Sequence, residues 1–324
     1  DIIAGMIAQS FFRHFPSPQF LNPPRVGISF SDQSLKMVRL GHSGSTFPID
    51  TLFVPLEPGI VVGGSISKPD QFVKIISEAS KKFNVKYASF TIPDEFTYFY
   101  KVFLPTTKGG DLTESIAFTI EENVPLGLAD TLFDFVPVSI NEKNNTHEVE
   151  TVVVACAKKE IDKISEILLS SGLEPLSCLP ESQAITEAII PKDTSGSVCV
   201  VHVRENRITI YLVRNRLVEF VTIRNINKED YEQTFLDEYS KFIEYLEKYQ
   251  NGLDKNIGQV FICGEFEYVK QIASVMKMSL ASNNKTALAN VWTNIFDISK
   301  YTPELSYEIS LSFGGAIGVV ATNV

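Results

Sequence analysis

Two stretches of this chain follow the same order of elements, and that repetition restricts the fold more than any other feature. Residues 26–40 read as a strand, a polar turn and a second strand from 34, and a further strand pair spans 52–62 and ends at Gly63-Gly64. An amphipathic helix follows, with Phe72, Ile75, Ile76, Ala79 and Phe83 at helical spacing behind a Ser67–Asp70 capping-box pattern. From Gly196 the order restarts: strands over 198–203, 208–213 and 217–224, then a long helix over 230–249. That helix carries Phe235, Tyr239, Phe242, Leu246 and Tyr249 on one face, and a strand (260–263) and a helix (267–278) come after it. Two strand–strand–strand–helix blocks imply an α/β fold built by duplication.

Between the blocks lies a unit of different rhythm. It reads as strand 98–104, helix 113–124, strand 133–140, polar turn 141–147, strand 148–157 and helix 159–171, closed by Gly172 as a left-handed cap. This order approaches the split β-α-β of ferredoxin-like subdomains. The implied organisation is an arm over 1–25 and a first domain over 26–88 and 179–195, with 89–178 inserted into it. A second domain over 196–306 follows, and a small-residue helix at 307–322 closes the first.

The chain has 324 residues, 39 acidic and 29 basic side chains and a formal charge of -10, so it repels phosphate backbones and nucleic-acid binding is not expected. Cys156, Cys178, Cys199 and Cys263 form no CxxC pair, and the four histidines are scattered, so reduced core thiols are expected rather than a metal site. No stretch reaches the roughly 20 apolar residues that a spanning helix needs, and the N-terminal segment lacks the basic start of a secretory signal. In the arm, Ile3, Met6 or Ile7, and Phe11 recur at helical spacing before Pro16, Pro18, Pro23 and Pro24. It either packs on its own domain or anchors to a membrane surface or partner. No GxSxG elbow occurs, and the adjacent Glu121 and Glu122 point to different helix faces, so neither a hydrolase triad nor a carboxylate pair is indicated.

Two blocks that each open on a strand–turn–strand resemble the actin and hexokinase superfamily, a duplicated ribonuclease H-like fold whose turns approach the phosphates of ATP. The likeness sharpens to the PilM family. Residues 26–36, VGISFSDQSLK, resemble its first phosphate turn, and Glu121-Glu122-Asn123-Val124-Pro125 with Asp134-Phe135 resembles the helix end and following strand of its insert. Residues 155–160, 171–175 and Glu181-Ser182-Gln183-Ala184, the arm at 11–16 and the segment 310–320 are similar to further family stretches. The resemblance implies ATP with Mg²⁺ as cofactors and nucleotide contacts at Gly27, Ser31, Asp32, Ser34, Lys36, Arg204, Thr209 and Gly264.

The departures bear on mechanism. Ser29 stands where the family has its metal-directing acid and Ser31 where it has a glycine. His202-Val203-Arg204 replaces acid-x-glycine, Ile208 replaces a threonine, and Gly264-Glu265 replaces Gly-Gly. A bulky side chain at a phosphate turn blocks the approach of backbone N–H groups. Weak or absent hydrolysis is therefore expected, with binding left open. What the resemblance then implies is an adaptor, cytoplasmic and peripheral to the inner face of the cell membrane. It would hold an N-terminal peptide of a PilN-like membrane protein and link it to pilus motor ATPases. The groove for that peptide is expected along Phe118, Glu121, Glu122, Val124 and Pro125, with Phe118, Ile120 and Val124 as its apolar floor. The competing expectations are an active actin-like ATPase or polymer former, and the cytoplasmic domain of a GspL-like type II secretion protein.

Overall fold

The computed structural model describes residues 23–41, 49–106, 112–143, 146–226, 228–249, 257–279, 285–296 and 303–322. Residues 1–22 of the expected arm lie outside these, and Arg25, its last residue, already belongs to the first strand.

β1 (Arg25–Phe30), β2 (Ser34–Leu40) and β3 (Ile49–Pro55) form an antiparallel meander. The hairpin of β4 (Val61–Val62) and β5 (Ser65–Ile66) leads to α1 (Pro69–Ser80), which returns the chain to β6 (Tyr87–Ile92), parallel to β1. Val26, Ile28 and Phe30 of β1 join the core that receives Phe72, Ile76 and Ala79 of α1. The expected capping box does not form: Lys68 is the N-cap without a side-chain bond, and Pro69, whose missing N–H costs nothing at a first helical position, starts the helix.

The chain then leaves this sheet. β7 (Thr97–Thr106), α2 (Leu112–Asn123), β8 (Thr131–Lys143) and β9 (Thr146–Ala157) build a separate antiparallel sheet in the order β7-β9-β8. Ile116 and Ile120 of α2 bury against Leu104, Val153 and Ala155. The next two elements, α3 (Lys158–Ser170) and β10 (Glu174–Pro180), return to the first domain. Ile164, Ile167 and Leu168 enter its core, and β10 pairs parallel with β6. The expected limits of the insert, 89 and 178, therefore fall inside β6 and β10. Parallel pairing joins strands far apart in sequence, so no local pattern marks it. α4 (Glu181–Ile189) follows.

The second domain repeats the first. β11 (Ser197–Arg204), β12 (Arg207–Arg214) and β13 (Leu217–Asn225) form a meander. α5 (Tyr231–Tyr249), β14 (Ile257–Gly264), α6 (Phe266–Ser279) and β15 (Lys285–Leu288) complete it. The order β3-β2-β1-β6-β10 of the first sheet is matched by β13-β12-β11-β14-β15 in the second, so the duplicated actin-like α/β architecture is present with its α+β insert.

The C-terminal segment breaks into α7 (Tyr307–Ser310), a 3-10 turn (Leu311–Phe313) and α8 (Gly314–Ala321) rather than one helix. α8 packs on α4 and β1 at a distance only small residues allow. A Cβ on Gly318 would stand 1.6 Å from the Ala184 carbonyl oxygen, and one on Gly27 would stand 2.2 Å from that of Ala316.

Candidate functional site

The turns β1–β2 and β11–β12 approach each other across the cleft between the two domains. In the first, the Ser31 N–H donates to the Ser34 carbonyl (2.8 Å), and the two hydroxyls lie 3.2 Å apart. Lys36 Nζ donates to Ser34 Oγ at 2.9 Å. Burial and then the Arg204 charge bring the Lys36 pKa down to about 8, against the pull of Glu265 and Glu181. Asp32 is committed elsewhere, accepting from the Gly63 and Gly64 N–H groups (3.1 and 2.9 Å) and so stapling the β4–β5 hairpin to the turn.

In the second turn, the Arg204 guanidinium forms an ion pair with Glu181, the first residue of α4, and the side chains are 8% and 6% exposed. Ser29 Oγ donates to the other Glu181 oxygen at 3.5 Å, and the Tyr231 hydroxyl donates to the Arg204 carbonyl at 2.7 Å. His202 is buried beside these groups, and burial first, then Arg204 and Lys36, hold its pKa well below the usual value, leaving a neutral ring. Asp94 accepts from the Ser182 N–H (3.0 Å) and Oγ (2.7 Å); burial, then the charge of Glu181, raises its pKa to about 7.

Gly264 takes φ +119°, and a Cβ there would stand 2.0 Å from the Val203 carbonyl oxygen, so the glycine lets β14 pass close to β11. The Glu265 N–H donates to that carbonyl (2.9 Å), and its carboxylate accepts from the Glu205 N–H (2.9 Å). Of the expected nucleotide contacts, Ser31, Ser34, Lys36 and Arg204 converge on the cleft. Gly27 faces α8, Thr209 sits within β12 opposite His202, and Asp32 and Gly264 hold the protein's own backbone. Sequence reasoning missed Asp94, Glu95, Glu205 and Arg207 as cleft residues. Their one signal was charge beside strand ends, which surface turns share.

All four cysteines are free, and burial raises every one of their pKa values. They are strand-borne thiols without nucleophilic character.

The residues expected to line a peptide groove are divided between two sides of α2. Phe118 is 81% exposed on the outer face of α2, with Glu121, Glu122 and Pro125 also exposed. Val124 is 5% exposed and packs with Ile120 and Ala155 beneath the helix. Helical geometry sends positions 118 and 120 to different faces, so they cannot form one floor. An open cleft of about 500 Å³ lies between the 3-10 turn Leu128–Asp130, which precedes β8, and α3, lined by Ala129, Asp130, Lys158, Lys159, Asp162 and Lys163 among others. Among the described residues β8 is an edge strand, paired with β9 alone, and Leu132 and Val136 are exposed along it. Lys163 Nζ donates to Ser65 Oγ (2.9 Å) and pairs with Glu160, tying α3 to the β4–β5 hairpin.

Comparison with known proteins adds to this picture. The family model described as type IV pilus assembly protein PilM matches residues 27–304. Among solved structures, the chain is similar to one described as a PilM-PilN type IV pilus biogenesis complex, with 16% identity, 92% of this chain and 97% of that chain covered, and a TM-score of 0.74. Weaker likenesses include the ethanolamine utilization protein EutJ from Carboxydothermus hydrogenoformans (11% identity, 94% and 91% covered, TM-score 0.49). Another is the cytoplasmic domain of EpsL, an inner membrane component of the type II secretion system of Vibrio cholerae (8% identity, 90% and 93% covered, TM-score 0.48). No curated protein matches the sequence. No helix among the described residues is long and apolar enough to cross a membrane.

Proposed function

The chain belongs to the family of type IV pilus assembly proteins PilM, and on that premise we propose that it is an adaptor that holds a peptide of a PilN-like membrane protein and does not turn over ATP. The observation that carries this reading is the buried Arg204–Glu181 ion pair, whose arginine stands where the resemblance expects the glycine of the second phosphate turn. A triphosphate entering the cleft would meet Glu181, Glu205, Glu265 and Asp94. It would also have to take Arg204 from its carboxylate, and separating a buried pair costs about 3–5 kcal/mol. Asp32, the nearest candidate for directing a metal ion, is engaged with the hairpin amides. These residues do not fit ATP with Mg²⁺ in a hydrolytic arrangement.

For the partner, the cleft between β8 and α3 suits an extended segment. Lys158, Lys159 and Asp130 offer charge in it, and beside it the edge of β8, unpaired among the described residues, offers backbone groups for strand addition with Leu132 and Val136 exposed along the strand. The same adaptor role places the chain at the cytoplasmic face of the cell membrane through its partner, within reach of pilus motor ATPases. Titration with the N-terminal peptide of the cognate PilN-like protein is expected to give a Kd on the order of micromolar, unchanged by ATP and Mg²⁺, with phosphate release at background. Absence of peptide binding would refute the adaptor reading, and phosphate release abolished by Arg204→Ala would refute the inactive cleft.

A further inference from the structure

Besides the contacts of α4 with the second domain, where Arg216 pairs with Glu187 and Gln183 Nε2 donates to the Arg216 carbonyl, side chains fasten that domain to the rest of the chain at two further places. Across the cleft, Arg204 pairs with Glu181 and Arg207 pairs with Glu95, with Asp32 3.9 Å from the Arg207 guanidinium. Gln33 Nε2 in the first turn donates to Glu205 Oε2 in the second at 3.3 Å. In every case one partner comes from β11, β12 or the turn between them, and the other from the first domain or from the short 94–96 helix leading into the insert. On the flank, Lys101 of β7 and Arg214 of β12 meet Glu219 of β13 at 3.5 and 3.1 Å, and Lys101 also pairs with Glu150 of β9.

These contacts differ from ordinary surface ion pairs. The Arg204, Glu181 and Arg207 side chains are 8%, 6% and 6% exposed, so mobile ions screen them little. Rotating the domains apart would take Arg204 from Glu181 and Arg207 from Glu95, whereas Lys36 and Asp94 would keep Ser34 and Ser182 on their own side of the cleft. In a two-domain fold of this kind a bound ligand usually supplies the cross-cleft contacts that hold closure. Here the protein supplies them from both sides.

We propose that the Arg204–Glu181, Arg207–Glu95 and Gln33–Glu205 contacts form a latch that keeps the two actin-like domains closed without any ligand in the cleft. The chain then offers its partner one fixed conformation at all times. The latch is independent of what the β8–α3 cleft binds, so a failed peptide titration leaves it standing.

The test uses the full chain labelled at two exposed helical positions, Lys74→Cys on α1 and Glu247→Cys on α5, with pulsed dipolar spectroscopy reading the distance between the labels. The latched chain is expected to give one narrow distribution that does not shift when ATP and Mg²⁺ are added. Arg204→Ala with Arg207→Ala is expected to broaden it and move it to longer distance. Should that double variant fail to fold, Glu95→Gln, at a side chain 17% exposed, is read in the same way, with a smaller broadening expected. A wild-type distribution that is broad, or that narrows with ATP and Mg²⁺, overturns the proposal. So does a folded latch variant that keeps the wild-type distribution.

Discussion

Asp94 accepts two hydrogen bonds from Ser182 through one carboxylate oxygen, while the other is buried with no hydrogen-bond partner among the described residues. Its neighbours are Glu181, which opposes ionisation, and Arg204, which favours it. With the folded pKa raised from 3.8 to about 7, the stability linked to this proton is fully present below pH 3.8 and is lost as pH rises through 7. At about 1.4 kcal/mol per unit, the loss is on the order of 1–4 kcal/mol. Asp94→Asn keeps an acceptor for the Ser182 N–H and removes the titration. Urea midpoints at pH 5 and pH 8 should therefore fall less in the variant than in the wild type, and equal falls would contradict the assignment. Lys36 acts in another window: its pKa is lowered from 10.5 to about 8, so its linked stability is present above pH 10.5 and is lost as pH falls through 8. The sequence exposed Arg204 as an intruder in a turn, but not its partner. Glu181 lies 23 residues away in a segment that reads as the start of an ordinary helix.

At the scale of elements, the legible parts were those whose signal is local. The amphipathic face of α5 and the Gly172 cap of α3 follow from side-chain spacing and one backbone angle. β10 and β15 were missed because short, half-buried strands carry little periodicity, and their pairing partners β6 and β14 are distant in sequence. The ferredoxin-like order of elements puts α3 with the insert, whereas Ile164, Ile167 and Leu168 complete the core of the first domain. The C-terminal helix was legible in composition but not in its break at Leu311–Phe313. Its small residues serve a close approach, and Gly318→Ala would force a Cβ to 1.6 Å from the Ala184 carbonyl oxygen. α8 must then shift away from α4, with an expected loss of about 2–3 kcal/mol, measurable as a lower urea midpoint. A midpoint within error of wild type would mean that α8 moves at no cost.

At the scale of the whole molecule, the duplication was visible as a repeated order of elements, whereas the closure of one half on the other was not. Glu219 binds Lys101 and Arg214 between the insert and the second domain, and burial raises its pKa against those two cations. Glu219→Ala leaves two partly exposed cations facing each other, with an expected cost of about 2 kcal/mol. Amide hydrogen exchange should quicken in both β7 and β13, and unchanged exchange in both strands would show that Glu219 does not couple them. The Arg204–Glu181 pair has a last consequence, for how such a sequence can change over generations. A single step from Arg204 toward glycine strands Glu181 as a buried lone charge, and a single step away from Glu181 strands Arg204. Each intermediate is less stable than either end, so replacing the pair by a glycine turn needs both changes together. The two positions therefore constrain each other, and change at this cleft meets the same barrier from either side.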